Sequence, residues 1–444
     1  MQLKKITLRN HQILKDLEID FSKPISVIIG ENGSGKSTLL RVIAQIFSEA
    51  FLNEYKTDYN YSLQYTTNVN TNLNFNVTLS NNNIAVEFDG IFIESREKIK
   101  QIKRLNPLGK MKSNDIVRKL LPSSIVVYYS GFDKKMKEMC QPHLENQIEA
   151  FKKGQSNHQR AIIYCDDFDF KILTALYLSE ATNEEIEEIT ALDKSKKIEQ
   201  YLIFDDKKKA SKGLQTFIDL VKDETESKTL ITRRLGLDRK ESSSIFENLD
   251  IAYNEGVLKD IETSYANNHQ NTGIFSEGQQ QLLIIKALNK IFNSENCLFL
   301  FDEPDTFLHP KWQGEFIQHL ETNNRNSQYI ITSHSPFIVA ALKKEQLFVM
   351  KNEEGILVVN SPKSNLYGKT VDDILIDTFG LSSLRSIAAE EEIQEIWNLI
   401  KSEQSDNENF KYKLEELENS IGRDNRAITA IKIELLKRKK LKNA

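Results

Sequence analysis

Apolar positions along the chain change their period several times, and the changes outline its organisation. Residues 3–8, 17–21 and 25–29 are short apolar runs, predicting three strands, the last apolar enough to be buried on both faces. A glycine-rich turn follows. Leu39, Leu40, Val42, Ile43 and Ile46 then recur at helical spacing over 37–47, so the order is strand, loop, helix. Residues 55–83 are rich in Asn, Thr and Tyr and predict no element. Residues 85–93 read as a hairpin turned at Asp89-Gly90, and 125–129 as a further β-branched strand.

From 132 to 271 the character shifts to charged runs such as 184–189 and 194–198 with almost no strand pattern, which predicts a helical insertion. Alternation resumes at Phe275: helix 277–292, strand 297–301, helix 310–320, and strands at 329–332 and 347–350. Such alternation implies a parallel sheet with crossover helices. A tail follows with Ile393, Ile396, Trp397 and Ile400, then Leu414, Leu417, Ile421, Ile428, Ile431 and Leu435, at helical spacing. It ends in Lys437, Arg438, Lys439, Lys440 and Lys442, and the polar stretch 401–409 is its expected hinge. The expected fold class is α/β, in four parts. Residues 1–131 and 272–380 form the two halves of a head, 132–271 a helical insertion and 381–444 a helical tail.

Composition narrows the function classes. Gly and Pro together are 25 of 444 residues, about half the usual share of roughly 12%, which argues against turn-rich β architecture. The formal charge of −5 provides no global case for nucleic acid or anionic membrane. Cys140, Cys165 and Cys297 are far apart and have no zinc or disulfide spacing. No apolar run approaches the roughly 18 residues of a membrane span. The expectation is a soluble, cytoplasmic protein.

The chemistry concentrates in two motifs. Gly30-Glu31-Asn32-Gly33-Ser34-Gly35-Lys36-Ser37-Thr38 fits G-x-x-x-x-G-K-[ST], placed between a strand and a helix as that pattern requires. Its glycines let backbone N–H groups wrap phosphates, the helix N-terminus adds positive dipole, Lys36 reaches the β and γ phosphates, and Ser37 offers a hydroxyl to Mg²⁺. Residues 298–304, Leu-Phe-Leu-Phe-Asp-Glu-Pro, form an apolar strand delivering two carboxylates at its C-terminal end, where α/β ligand sites lie. Asp302 is placed to hold magnesium through water and Glu303 to polarise an attacking water.

Two further segments complete a resemblance: Phe275-Ser276-Glu277-Gly278-Gln279-Gln280-Gln281, about twenty residues before Asp302, and Thr332-Ser333-His334-Ser335-Pro336, about thirty after it. In this order the four motifs resemble the ABC-type ATPase head shared by SMC and DNA-repair ATPases and by OLD-like defence ATPases, over residues 1–50 and 270–350. The resemblance implies a parallel-sheet head with a β-rich N-terminal lobe that sandwiches ATP and Mg²⁺ between two copies. Ser276, Gly278 and Gln279 would act on the γ phosphate held by the opposite subunit. His334 would be the switch histidine, and Asp305 the aspartate that crosses the dimer interface. Glu303-Pro304-Asp305 with Leu308-His309-Pro310 is more like the OLD-like branch than transporter subunits. Tyr367-Gly368-Lys369-Thr370-Val371-Asp372-Asp373-Ile374-Leu375 and the helical tail resemble the ATPase component of the Septu anti-phage system, retron-associated versions included, with the PARIS-system ATPase a close rival.

That second resemblance implies a homo-oligomer, built on the ATP-sandwiched dimer, that holds a separately encoded HNH-type nuclease through its C-terminal helices, with DNA reached through the complex and no membrane involved. The 110 residues after His334 are too few for the nuclease domain fused to other OLD-like ATPases. One departure from the ABC pattern is that 125–129 runs into Ser130-Gly131-Phe132 without the usual magnesium-sensing glutamine, and Gln141 lies too far along to stand in for it. Hydrolysis is therefore expected to be slow, with ATP acting as a structural ligand. The alternative is an SMC-like DNA-repair ATPase that clamps DNA directly. It is favoured by the basic end and disfavoured by an insertion that could form only a short helical arm. Asp166, Asp167 and Asp169 form an acidic cluster with two readings, a solvated helix start, which is favoured, and a set of metal ligands.

Overall fold

The computed structural model describes residues 1–21, 23–69, 73–81, 83–99, 101–102, 113–131, 133–156, 158–190, 198–222, 228–230, 242–265, 268–270, 275–293, 296–322, 324, 327–353, 356–362, 365–404 and 407–442. Most of the charged run 194–198, Phe132 and the expected boundary at 271/272 lie outside these. The chain divides into two compact units, Met1–Lys369 and Thr370–Ala444. The second begins where Thr370 caps the helix Val371–Asp377 in a reciprocal bond pattern with Asp373, ahead of the boundary expected at 380/381.

Among the described residues, the first unit is built on three sheets. Its strands in chain order begin with β1 (Gln2–Arg9), β2 (Glu18–Asp20), β3 (Ile25–Gly30), β4 (Asn60–Val69), β5 (Leu73–Ser80), β6 (Asn83–Phe88) and β7 (Ile91–Glu94). Then come β8 (Ile125–Tyr129), β9 (Ile162–Tyr164), β10 (Ile198–Phe204), β11 (Lys228–Leu230), β12 (Leu258–Tyr265) and β13 (Asn268–Gln270). Last are β14 (Leu298–Asp302), β15 (Gln328–Thr332), β16 (Leu347–Glu353) and β17 (Ile356–Asn360). The central sheet has the order β17-β16-β3-β15-β14-β8-β9 and is parallel except for the β16–β17 pair. Its inner strands are the continuous apolar runs expected of strands covered on both faces.

An antiparallel sheet, β2-β1-β4-β5-β6-β7, packs against the other side of the helix Lys36–Leu52. Leu39, Leu40, Ile43 and Phe47 of that helix share one core with Leu3, Ile6 and Leu8 of β1, Leu63 and Tyr65 of β4, and Ile28, Leu300 and Ile330 of the central sheet. Gln328 ties the two sheets together, its amide accepting from Leu3 N at 2.5 Å and donating to Leu3 O at 3.1 Å. The phosphate-loop helix is thus clamped between layers. Residues 55–83, which predicted nothing, supply most of β4 and β5: Tyr61, Leu63 and Tyr65 alternate with Ser62 and Gln64, a half-buried strand whose inward positions are partly aromatic hydroxyls.

The expectation of a helical insertion with almost no strand is corrected. Helices Lys134–Lys152, Asp167–Glu180, Asn183–Thr190, Gln215–Val221 and Ser242–Asn254 are present, but the segment also carries β9, which extends the central sheet, and a separate antiparallel sheet, β11-β10-β12-β13. Gln200, Leu202 and Phe204 of β10 point inward at period 2, a signal obscured by the charged sequence flanking it. The acidic cluster does start a helix, with Asp166 as its cap, but Asp169 is buried rather than solvated. In the second unit, helices Ile387–Lys401, Glu408–Ile421 and Arg426–Lys442 enclose a core of Ile393, Ile396, Ile400, Leu417, Ile428 and Ile431, the positions their spacing indicated. Among the described residues no helix is long and apolar enough to cross a membrane.

Candidate functional site

Four neighbouring strands of the central sheet end side by side. The register pairs Tyr129 of β8 with Asp302 of β14, Asp302 with Thr332 of β15, and Thr332 with Ile28 of β3, two residues before Gly30. Period-2 alternation then places Tyr129, Asp302, Thr332 and Gly30 on the face that carries Val127, Leu300, Ile330 and Ile28, the face covered by the helix Lys36–Leu52. The topology therefore delivers the loop, both carboxylates and the residues preceding His334 to one edge of the sheet.

The loop has the geometry its glycines allow. Gly35 is the N-cap of the helix with φ 86°, and a Cβ there would approach the Leu14 side chain to 2.8 Å, so glycine answers both a left-handed backbone and a close contact. Ser34 is only 2% exposed and its Oγ has no partner, a buried polar atom inside the loop awaiting one. Lys36 Nζ donates to Gly30 O at 2.9 Å and Glu31 O at 3.1 Å. Burial lowers the Lys36 ammonium from its ordinary value, and the charges of Glu303 and Asp302 offset part of that. Asn32 and Gly33 are exposed at the loop tip, and Ser37 and Thr38 lie in the first turn of the helix.

Asp302 is buried and accepts a hydrogen bond from the Thr332 hydroxyl, with the Ser37 hydroxyl close enough to favour its charged form. Burial raises its pKa, and these two hydroxyls with Lys36 oppose the rise. Glu303 adopts φ 50°, outside the usual range for a non-glycine residue, and is held there because its N–H donates to both Thr332 Oγ1 at 3.0 Å and Thr332 O at 3.2 Å. His334 Nε2 lies 3.4 Å from Glu303 Oε1. Burial and the Lys36 charge lower the His334 pKa, Glu303 opposing, so the imidazole is neutral at pH 7.

Ser276, Gly278 and Gln279 open the helix Glu277–Phe292. Ser276 and Gln279 form a reciprocal cap: Ser276 N donates to Gln279 Oε1 at 2.8 Å, and Gln279 N to Ser276 Oγ at 3.4 Å. Ser276 is exposed, and Gln279 Nε2 also donates to Thr190 O at 2.9 Å. A Cβ on Gly278 would stand 2.6 Å from Phe307 O, so glycine here permits the helix to meet the loop after β14. The bonds of these three residues thus run to each other and to neighbours rather than to the phosphate loop. Asp305, expected to cross an interface, is 4% exposed and accepts from Ser333 Oγ at 3.0 Å through Oδ2, while Oδ1 has no partner. Burial pushes its carboxyl up to about 6.

Several residues to which the sequence reading assigned no role shape this edge. Gln281 donates from Nε2 to Pro304 O at 2.6 Å and accepts from Phe307 N at 3.1 Å. Gln313 donates to Asp305 O and Leu308 O at 3.0 and 2.9 Å and accepts from Ser335 Oγ at 2.7 Å. Together they brace the loop 302–308 from two helices. Tyr129 occupies the strand end next to Asp302, where Ser130 N donates to Asp302 O at 3.2 Å. The following segment is anchored to the phosphate-loop helix by the Arg41–Asp133 ion pair at 2.6 Å. Gln141 lies on an exposed helix face, bonded to Glu145. Only the apolar β-branched run 125–129, read as a strand, carried a signal for Tyr129; buried amides and hydroxyls carry none.

Chemically, this edge combines a loop of backbone donors, one ammonium, hard oxygen donors on Ser37 and Asp302, and a carboxylate beside a neutral imidazole. The unpartnered Ser34 hydroxyl and the Ser37–Asp302 pair fit a phosphate chain with a hard divalent cation.

Among known proteins, the head of an SMC protein solved with the C-terminal winged-helix domain of ScpA is matched with 14% identity and a TM-score of 0.38, covering 82% of this chain and 98% of that one. The "Retron Vc95 probable ATPase" of Vibrio cholerae serotype O1 biovar El Tor is 23% identical over 415 residues, 84% of this chain and 78% of that protein. The Septu protein PtuA of Bacillus thuringiensis is 36% identical over 93 residues, 20% of this chain and 24% of PtuA. Residues 1–339 match the AAA ATPase domain model, which takes in the loop, both carboxylates, the capped helix at Ser276 and His334, and the chain belongs to that family.

Proposed function

We propose that this chain is the ATP-binding subunit of an anti-phage defence system, which dimerises around ATP and restrains a separately encoded HNH-type nuclease. The observation that carries the nucleotide reading is the meeting of Lys36, Asp302, Glu303 and His334 at the C-terminal ends of adjacent parallel strands. The defence context rests on the names of the relatives, a retron ATPase and Septu PtuA.

In this reading the loop amides of Asn32 to Thr38 and the Lys36 ammonium hold the phosphates. Ser37 and Asp302 hold the magnesium ion, which would neutralise charge on the phosphate oxygens. Glu303 orients and deprotonates a water, held at its unusual backbone angle by Thr332. Neutral His334 accepts or donates one hydrogen bond at the terminal phosphate without adding charge. Exposed Ser276, with Gly278 and Gln279, faces outward to act on the nucleotide of a second copy. Asp305 supports the loop from inside through Ser333. Tyr129 stands at the strand end that lacks a glutamine, and hydrolysis is accordingly slow, with ATP retained as a structural ligand.

Native mass spectrometry of the protein purified from its own operon, with ATP and magnesium throughout, tests this. A complex containing a small nuclease, lost on Lys36→Ala, is the expected result. An ATP-dependent homodimer with no second polypeptide, binding DNA in a salt-sensitive way, would replace the reading with direct DNA clamping, which the exposed Lys437, Lys439 and Lys440 on the last helix favour.

A further inference from the structure

Arg118, on the helix Ser113–Leu120, is half-buried beside a cavity of about 390 Å³ remote in sequence from the phosphate loop. Its guanidinium donates to Pro122 O at 2.6 Å and Ser123 O at 2.8 Å and lies over the Phe51 ring, 4.5 Å from the centroid. All of these partners are neutral, and among the described residues no carboxylate forms an ion pair with Arg118. Buried charges are ordinarily paired, because the lost hydration must be replaced by an opposite charge. Burial lowers this guanidinium to about 10, with the nearby Glu247 charge opposing the fall, so it stays charged at neutral pH.

Two imidazoles line the same cavity. His143 is 4% exposed and shares a hydrogen bond with Ser48 Oγ at 2.8 Å through Nε2; His158 lies at the rim. Burial and the Arg118 charge lower both from the ordinary histidine value, a sign that the three groups share one electrostatic environment. Lys153 stands at the mouth, and Glu149, the acidic group there, is engaged by it at 2.5 Å. The cavity thus presents a guanidinium, an ammonium and imidazole nitrogens against one lining carboxylate, Glu149, so its lining carries a net positive charge.

We infer that this cavity is a second ligand site, separate from the phosphate loop, that takes a phosphorylated small molecule of mononucleotide size or less. The guanidinium N–H groups not used on Pro122 and Ser123, with the Lys153 ammonium and the imidazoles, match the several oxygens of a phosphate. The volume lies at the lower end of the roughly 300–1,000 Å³ of small-molecule sites, which sets the size limit. The occupant would touch Phe51 and Leu52, the C-terminal end of the helix whose N-terminus carries Lys36.

The test is calorimetric titration of the Lys36→Ala chain, in which the phosphate loop is disabled, with AMP and with inorganic phosphate. The expected result is one saturable AMP site, competed by phosphate and weakened at least about tenfold by combined Lys153→Ala and His158→Ala, both rim changes that leave the core intact. Arg118→Gln should abolish it; circular dichroism and melting temperature check that this variant folds. No saturation up to about 10 mM, or unchanged affinity in the rim double variant, would overturn the inference. A 5′-phosphorylated oligonucleotide binding no tighter than AMP supports a free small molecule. Binding of the oligonucleotide alone would instead assign the cavity to a nucleic-acid end and refute the small-molecule site.

Discussion

Asp305 makes the charge state of the loop behind the candidate site measurable. Burial raises its carboxyl from 3.8 to about 6, and only Oδ2 has a partner, the Ser333 hydroxyl. The folded protein therefore binds this proton more tightly than the unfolded chain does. The native state keeps that advantage below the unfolded value and loses it as pH rises from about 4 to about 6, with a flat cost above. A rise of about two units is worth about 3 kcal/mol of destabilisation at neutral pH. Asp305→Asn removes the charge, keeps the shape and still accepts from Ser333. Its Nδ2 would replace the unpartnered Oδ1, an unsatisfied donor costing about 1–2 kcal/mol. The net expectation is stabilisation of about 1–2 kcal/mol near pH 8. Between pH about 5 and about 8 the difference between variant and parent should change by about 1.5 kcal/mol in the variant's favour. Equilibrium urea unfolding of both proteins at the two pH values reads this, and differencing cancels the other buried carboxyls with raised values, Glu49, Asp169, Glu247 and Asp302. A difference that does not vary with pH, or a variant less stable near pH 8, would refute the reasoning.

Three further outcomes follow from the same geometry. Glu303→Gln should lower whatever ATP turnover the protein has by about 10²–10⁴ and accumulate an ATP-bound dimer, visible by size-exclusion chromatography with radiolabelled nucleotide; unchanged turnover would remove Glu303 from its role. Tyr129→Phe keeps the ring beside Asp302 and deletes only the hydroxyl, so it should raise the magnesium concentration needed for half-maximal binding of a fluorescent ATP analogue several-fold while leaving metal-free binding unaltered; an unshifted magnesium titration would show the phenol to be packing alone. Gly278→Ala places a methyl 2.6 Å from the Phe307 carbonyl, and should cost about 1–3 kcal/mol because a backbone atom must move, measured as a lower thermal midpoint; a neutral effect would show the loop after β14 to be compliant.

Much of this protein was written in local pattern. The strand, glycine loop and helix around Lys36, the apolar strand ending at Asp302, the capped start of the helix Glu277–Phe292 and the buried positions of the three tail helices all follow from residues close in sequence, because periodicity, capping and turn chemistry are set between near neighbours. What required the tertiary structure was long-range pairing. Tyr129, Asp302 and Thr332 become neighbours only through strand register, and Glu303 holds its backbone angle only because Thr332 lies across from it. Gln281 and Gln313 look like solvent-facing amides on helices until their carbonyl partners in the loop 302–308 are known. Nor does the sequence around Asp305 reveal that its carboxyl is buried against Ser333. Strands β4 and β10 were hidden for a related reason: tyrosine hydroxyls and flanking charges mask alternation in composition, whereas burial depends on which sheet the segment joins. Residue types thus determined which chemistry is available, and contacts between residues remote in sequence decided which groups meet, because polar satisfaction in a folded interior depends on partners that only the assembled sheet provides.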